Sequence, residues 1–298
     1  EMNSTKTRPE HVAPAHIFYG DDEAKKYTQN SRIMKIQTEM TERALQILAI
    51  PEGKKSLILD IGCGSGISGE VIEQHGHEWV GVDVAPSMLE IAADREITGD
   101  LIKWDMGHGL PFKPGSFDAA ISISAIQWLC CAENSKQNPY KRMKRFFQDL
   151  YSVMVKGGRC AFQFYPETPE QVENLTNAAM KNGFTGGLIV DYPNSKKAKK
   201  YFLFLMAGFS EEIVNDAKKA IFLPKALGED GDDEDEENKQ VSVFKDKKKF
   251  ARNKRTKWGR KGIDYVDWVK NKKERQRRQG RDVRPDSKYT ARKRKDRF

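Results

Sequence analysis

The sequence predicts an α/β fold built on a seven-stranded, mostly parallel sheet that ends in an antiparallel hairpin. Three observations predict it. Short apolar runs alternate with segments of helical periodicity from residue 31 to residue 182. The first apolar run closes on an acid and a glycine-rich turn, Leu59-Asp60-Ile61-Gly62-Cys63-Gly64-Ser65-Gly66. The last two runs, 188–190 and 201–206, have only a loop between them. Strand–helix alternation implies parallel strands with helices on both faces. A connection without a helix implies an antiparallel pair.

The elements follow in order. After a polar arm, residues 31–50 carry Ile33, Ile36, Met40, Ala44, Ile47 and Leu48 near helical spacing. Residues 56–61 read as a buried strand, 67–75 as a helix and 79–82 as a second strand ending at Asp83. Residues 86–93 form a helix with proline near its start. Strands are expected at 101–104 and 117–123, a long helix at 139–155, a fifth strand at 159–164 and a helix at 169–182.

Charge divides the chain. The net charge of +9 conceals 25 Lys and Arg against 7 Asp and Glu in 239–298, roughly +18 there and about −9 elsewhere. Most of the deficit is the acidic run 229–237. The expected organisation is an arm and helix capping the ligand site (1–50), the α/β core (51–212), a linker with the acidic run (213–238) and a basic tail (239–298). Aromatics Phe250, Trp258, Tyr265, Trp268 and Tyr289 interleave the tail's charge. Cations neutralise phosphate and aromatics stack on exposed bases, which suits RNA; a merely solvated tail is the plainer reading. A segment so charged buries no core and is expected to order only on binding. Residues 292–295 suit a nuclear import signal. The four cysteines lack metal-site spacing, so no zinc site is expected in this chain. No apolar run is long enough for a bilayer and the arm is no secretory signal, so an intracellular protein with no membrane partner is expected.

The glycine turn needs small residues because a ligand lies against its backbone. A dinucleotide fingerprint wants Gly or Ala three positions after Gly64, where Ile67 stands; the third glycine is Gly66 instead. Asp60 before the turn suits a cofactor bearing an ammonium group. Asp83, closing the second strand, suits two ribose hydroxyls. Asp105, closing the third, suits an adenine amino group, with Met106 on the ring. Each acid alone reads equally as a strand-end cap; the three together read as a cofactor site.

This constellation resembles the class I methyltransferases, whose Rossmann-like sheet has seven strands and whose cofactor is S-adenosylmethionine. The resemblance implies cofactor-binding roles for Tyr27, Asp60, Gly62, Cys63, Gly64, Asp83, Val84, Asp105, Met106 and Ser122. The fourth strand leads into Ser122-Ile123-Ser124-Ala125-Ile126-Gln127-Trp128-Leu129. It lacks the Asn/Asp-Pro-Pro-aromatic motif of enzymes that methylate exocyclic amines. Cys130 and Cys131 lack the Pro-Cys context of a pyrimidine nucleophile and read as structural thiols. No Lys or Glu stands there as a base, so no catalytic side chain is expected. The acceptor should bring its own lone pair, as guanine N7 does, and catalysis should be positioning. Gln127 and Trp128 are the positioning and substrate candidates: one can bond a base edge, the other can stack. A buried core tryptophan is the competing reading. Tyr19 and Tyr27 either close over the site, Tyr19 facing substrate, or simply anchor the arm.

The whole chain is similar to the eukaryotic small-subunit (18S) rRNA guanine-N7 methyltransferase family. The similarity runs through Arg8-Pro9-Glu10-His11, Asn30-Ser31-Arg32, residues 122–129, Asp191-Tyr192-Pro193-Asn194-Ser195, Asp286-Ser287-Lys288-Tyr289-Thr290 and Arg292-Lys293-Arg294-Lys295. It implies small-subunit rRNA and pre-ribosomal particles as partners. It also implies a small zinc-binding methyltransferase activator subunit in a heterodimer. The implied setting is the nucleus and nucleolus, with the cytoplasm allowed as well. Two alternatives stay open on the residues alone: a pre-ribosome assembly factor with secondary catalysis, and an enzyme of this fold acting on a protein or small molecule.

Overall fold

The computed structural model describes residues 8–208 except 96, 133–136 and 196–197, then 226–228 and positions 270, 273, 277, 285 and 286. The chain divides into two compact units, Glu1–Val243 and Phe244–Phe298. The acidic run, the tail aromatics and the expected import signal at 292–295 lie outside the described residues.

The first unit is a seven-stranded sheet: β1 (Leu57–Ile61), β2 (Glu78–Asp83), β3 (Asp100–Lys103), β4 (Phe117–Ile123), β5 (Met154–Phe164), β6 (Phe184–Asp191) and β7 (Lys200–Ala207). Their order is β3-β2-β1-β4-β5-β7-β6. The first five run parallel, and β7 is antiparallel to both neighbours, β5 and β6. The hairpin inserts its second strand beside β5 and leaves the first at the edge. Sequence order reverses between β1 and β4, which opens a crevice at their carboxyl ends, the place where such sheets bind ligands.

Helices α4 (Ser31–Leu48), α5 (Ile67–Gln74), α6 (Pro86–Asp94), α7 (Pro139–Val153) and α8 (Pro169–Lys181) cover the sheet. Alternation along the strands splits the core in two. Ile58, Ala119, Ile121, Ile123 and Phe202 meet Met40, Ala44, Ile47 and Leu48 of α4. Leu59, Ala120, Phe162 and Leu203 meet Met143, Phe146, Phe147 and Leu150 of α7. That is period two in the strands against period 3.6 in the helices. Each buried Phe or Leu contributes about 1.5–3 kcal/mol.

Three boundaries differ from the sequence reading. The long helix ends at Val153, and β5 already pairs Met154 with Phe117 across a register shift. The Lys156-Gly157-Gly158 stretch, between the expected helix and strand, is part of an irregular start of β5, with Gly157 at φ 80°. β6 begins at Phe184, not 188, because Gly186 belongs to it: a Cβ there would stand 2.0 Å from the Phe204 carbonyl oxygen. The arm is helical: α1 (Pro9–Val12), α2 (Ala15–Phe18) and α3 (Asp21–Gln29). Asp21, Asp22 and Glu23 favour the start of α3 electrostatically, and Ala24 is its one buried residue. Ala24 packs with Ala85 and Met88 at the start of α6, flanked by Tyr19 and Tyr27. Polar ties hold the arm down: Arg8 to the Tyr165 carbonyl (2.8 Å), His11 with Glu167 (3.0 Å) and Ser87 to Asp21 (2.6 Å).

Asp191 anchors the segment that precedes the acidic run. It accepts two bonds from Arg43, at 2.9 and 3.1 Å, and one from the Leu227 backbone N–H at 2.9 Å. Among the described residues no helix is long and apolar enough to cross a membrane.

Candidate active site

The carboxyl ends of β1, β2 and β4, with the segment after β3, converge on one pocket, which the arm closes. The glycine turn after β1 is held down by Gly62 N–H donating to the Val82 carbonyl (2.8 Å). Gly62 sits at φ 77°, and a Cβ there would lie 2.2 Å from Ala125 Cβ. Only glycine lets the turn approach the β4 tip this closely.

Asp83 accepts Gly64 N–H on one oxygen (2.9 Å) and Ala85 N–H on the other (2.8 Å). It joins the glycine turn to the start of α6 and keeps lone pairs for a ligand in the pocket it lines. Burial pushes its carboxyl up, against the backbone N–H groups that hold it down. Asp105 accepts from Gly107 N–H and from Arg142, each at 2.8 Å. Trp104, Met106 and Arg142 line the same end.

Asp60 is fully buried behind this wall. One carboxyl oxygen accepts from Ser68, which does line the pocket, and the other has no partner. Burial raises its pKa to about 7; the Ser68 bond pulls downward and the Asp83 charge adds a smaller push upward.

At the far end stand Ala15, Tyr19, Tyr27, Gln37, Ser124, Ala125 and Trp128. Tyr19 lies edge-on to Tyr27 (5.8 Å between ring centres) and tilted against Trp128 (6.2 Å). Burial drives both tyrosine hydroxyls well above their ordinary range, so they are neutral. Trp128 is 7% exposed and also lines the cavity.

The pocket thus gathers Tyr19, Tyr27, Gly62, Cys63, Gly64, Asp83, Val84, Asp105, Met106 and Trp128. Three expected residues stand outside its lining. Asp60 is buried behind Ser68. Ser122 is buried and donates to the Ile61 carbonyl (2.8 Å), stitching β4 to β1. Gln127 is buried, its amide donating to the Ser124 carbonyl (2.8 Å). Gln37, Ser124 and Arg142 are pocket residues the sequence reading missed. Gln37 and Arg142 were detectable as polar residues within the apolar stripes of α4 and α7. Cys130 is pushed up to about 12, chiefly by burial, which leaves no thiolate.

The pocket fits S-adenosylmethionine: a buried carboxyl oxygen without a partner suits its positive charge, and Asp83 at the strand end suits ribose hydroxyls. Fold and site define a class I methyltransferase that uses this cofactor. The family profile described as "Methyltransferase domain" matches residues 59–162, and one described as "Methyltransferase involved in Williams-Beuren syndrome" matches 205–296. The 18S rRNA (guanine-N(7))-methyltransferase of Mus musculus is 50% identical over 297 residues, covering 100% of both chains. The 18S rRNA (guanine(1575)-N(7))-methyltransferase of Saccharomyces cerevisiae is 48% identical, covering 98% of this chain and 100% of its own. The chain belongs to the 18S rRNA (guanine-N(7))-methyltransferase family. A solved magnesium protoporphyrin IX methyltransferase from Synechocystis shares the fold at 12% identity, with a TM-score of 0.50 over 68% of this chain and 98% of that one.

Proposed function

We propose that this chain transfers the methyl group of S-adenosylmethionine to N7 of a guanine in 18S rRNA during small-subunit assembly. One observation carries the reading beyond family membership. The residues lining the pocket include no lysine or histidine, and its two carboxylates, Asp83 and Asp105, each already accept two hydrogen bonds. Its tyrosines stay protonated. The Ser124 carbonyl already accepts from Gln127 at 2.8 Å. An acceptor with its own lone pair needs neither base nor amine acceptor. The cofactor supplies a methyl group activated by positive sulfur. The chain's part is to hold ribose at Asp83, keep charge near Asp60, exclude water with the arm and orient the base against Trp128. Mapping 7-methylguanosine in small-subunit rRNA with and without this protein tests the reading; an unchanged map refutes it.

Catalysis without a protein base has a kinetic signature. Trp128→Ala should lower turnover by about five- to a hundredfold, the worth of a base–aromatic stack. Its pH profile should keep the parent's shape. A bell-shaped profile that collapses when one pocket side chain is removed would contradict this.

Asp60 adds a pH dependence. Its folded pKa is raised, so its own contribution to the stability of the unliganded protein is full at low pH and is lost as pH rises from about 4 through about 7. A bound cation favours the ionised form. S-adenosylmethionine should therefore release a proton on binding below about pH 7 and bind more tightly as pH rises to that point. Calorimetry near about pH 6 in buffers of different ionisation enthalpy should show that proton, and Asp60→Asn should abolish it. Buffer-independent heats in the parent protein would remove Asp60 from the cofactor's surroundings.

The small zinc-binding activator subunit is part of this proposal. Besides the family resemblance, the support is β3: it ends the sheet, Leu101 and Ile102 are half-buried, and its outer side pairs with no described strand. An open edge of this kind invites another chain. The full chain produced alone should aggregate or turn over slowly, and co-production with the activator should correct both. A monodisperse, fully active lone chain would count against the partnership. Nuclear and nucleolar residence belongs to the same proposal and rests on the assembly role.

A further inference from the structure

Ser124 carries a polar group that none of these roles uses. It follows β4, lines the pocket and holds φ 57°, in the left-handed region that disfavours a residue with a Cβ. Such a conformation persists where its surroundings over-determine it. Here its N–H donates to the Gln163 carbonyl (3.0 Å) and its carbonyl accepts from Gln127 (2.8 Å). Its Oγ donates to Gln163 Oε1 at 2.8 Å and accepts from Gln37 Nε2 at 3.4 Å. The hydroxyl is fixed at one point of the acceptor end.

Gln163 shows what that hydroxyl can do. Its side chain is fully buried, and with Oε1 facing Ser124 its Nε2 has no partner. A buried donor without an acceptor is costly. A half-turn of the amide exchanges its two ends. Nε2 then donates to Ser124 Oγ, and the remaining orphan is a carbonyl oxygen, which proteins tolerate better. Both Oγ lone pairs are then filled, by Gln163 and Gln37, and the O–H has lost its acceptor in Gln163. Ser124 lines the pocket, so a group bound there is the acceptor it can turn to. Ser124 becomes a hydroxyl that donates and does not accept.

We propose that the Ser124 hydroxyl donates to O6 of the target base and selects guanine, an inference that rests on the guanine-N7 reading above. Guanine presents N7 and O6 as two acceptors on one edge, where adenine presents N7 beside an amino donor. A fixed donor beside the methyl-accepting nitrogen bonds guanine. It meets adenine's amino group with no lone pair to offer. The same bond turns N7 toward the cofactor side of the pocket.

The test uses the full chain with its activator, labelled S-adenosylmethionine, and small-subunit particles from cells lacking this protein. Ser124→Gly takes φ 57° without strain and should keep its melting temperature. Ser124→Ala keeps the Cβ and removes the hydroxyl alone. Both should bind S-adenosylmethionine like the parent and lose about ten- to a hundredfold in kcat/KM for particles. A kcat/KM within about threefold of the parent in either folded variant overturns the assignment. So does a loss that tracks weakened cofactor affinity, which would give the hydroxyl to the cofactor. If the parent itself places no label on 7-methylguanine, the guanine-N7 reading fails, and that result is distinct from both.

Discussion

Asp83→Ala should weaken S-adenosylmethionine binding by about 1.5–3 kcal/mol, roughly ten- to 150-fold in Kd, the worth of hydrogen bonds to a charged group. The sequence argument for this is position alone: an acid closing the second strand, where ribose hydroxyls belong. The structure adds a second loss. Asp83 also receives Gly64 N–H and Ala85 N–H, so alanine frees the glycine turn and the start of α6 together. Asp83→Asn separates the two contributions, since its one oxygen can still accept a backbone N–H while the charge is gone. Asn should therefore fall between the parent and Ala in affinity, and likewise in melting temperature, since Ala leaves two backbone N–H groups without their acceptor. Calorimetry on the full chain checks this, and unchanged affinity in Asp83→Ala would take the residue out of the cofactor site. Gly62→Val should be harsher, because the clash with Ala125 and the φ of 77° act on the folded chain before any ligand binds.

Much of this architecture is legible in the sequence because period and punctuation agree. β4 is found to the residue, since a run of apolar and small residues is bounded by the Gly115-Ser116 turn and by polar Ser124. The hairpin is legible from the missing helix; that β7, not β6, pairs with β5 is not, because either order satisfies the same short loop. The arm misleads because α3 buries a single residue, Ala24, and so carries no apolar stripe. At the site, acids at strand ends are readable from position, but which way a buried side chain turns is not. Ser122 and Ser124 share a strand and its extension, two residues apart. Ser122 spends its hydroxyl on the Ile61 carbonyl, whereas the left-handed backbone at Ser124 carries the second serine to the pocket wall. No pattern in one sequence announces that backbone; Gly or Asn would have. Gln127 likewise looks like a base reader in the linear motif, while in the structure it stands outside the pocket lining with its amide donating to the Ser124 carbonyl.

Deleting residues 239–298 should leave cofactor binding intact and weaken pre-ribosome association by about a hundredfold or more at physiological salt. The segment removes 25 Lys and Arg against 7 Asp and Glu. Charge of that density releases counterions from phosphate, so affinity of the full chain should fall steeply with salt and that of the truncation much less. Phosphate contacts position without reading sequence. Selection of the site is therefore left to the catalytic unit, with Trp258 and Trp268 as anchors. Not all of the tail's charge is free for phosphate: Asp286 pairs with Lys273 (2.9 Å) and Arg277 (3.2 Å), which holds its carboxyl below the usual range. Breaking that site with Asp286→Ala should then raise, not lower, the salt-dependent part of binding. The match of residues 205–296 to a methyltransferase family profile shows that the tail is part of what defines this family, which an incidental extension would not be. The tail is also expected to carry the import signal, so the truncation must carry an unrelated nuclear signal before the comparison is made. If that rescued truncation binds pre-ribosomes as tightly as the full chain across a range of salt, the tail serves only as an address, and the affinity must be sought on the catalytic unit and its partner.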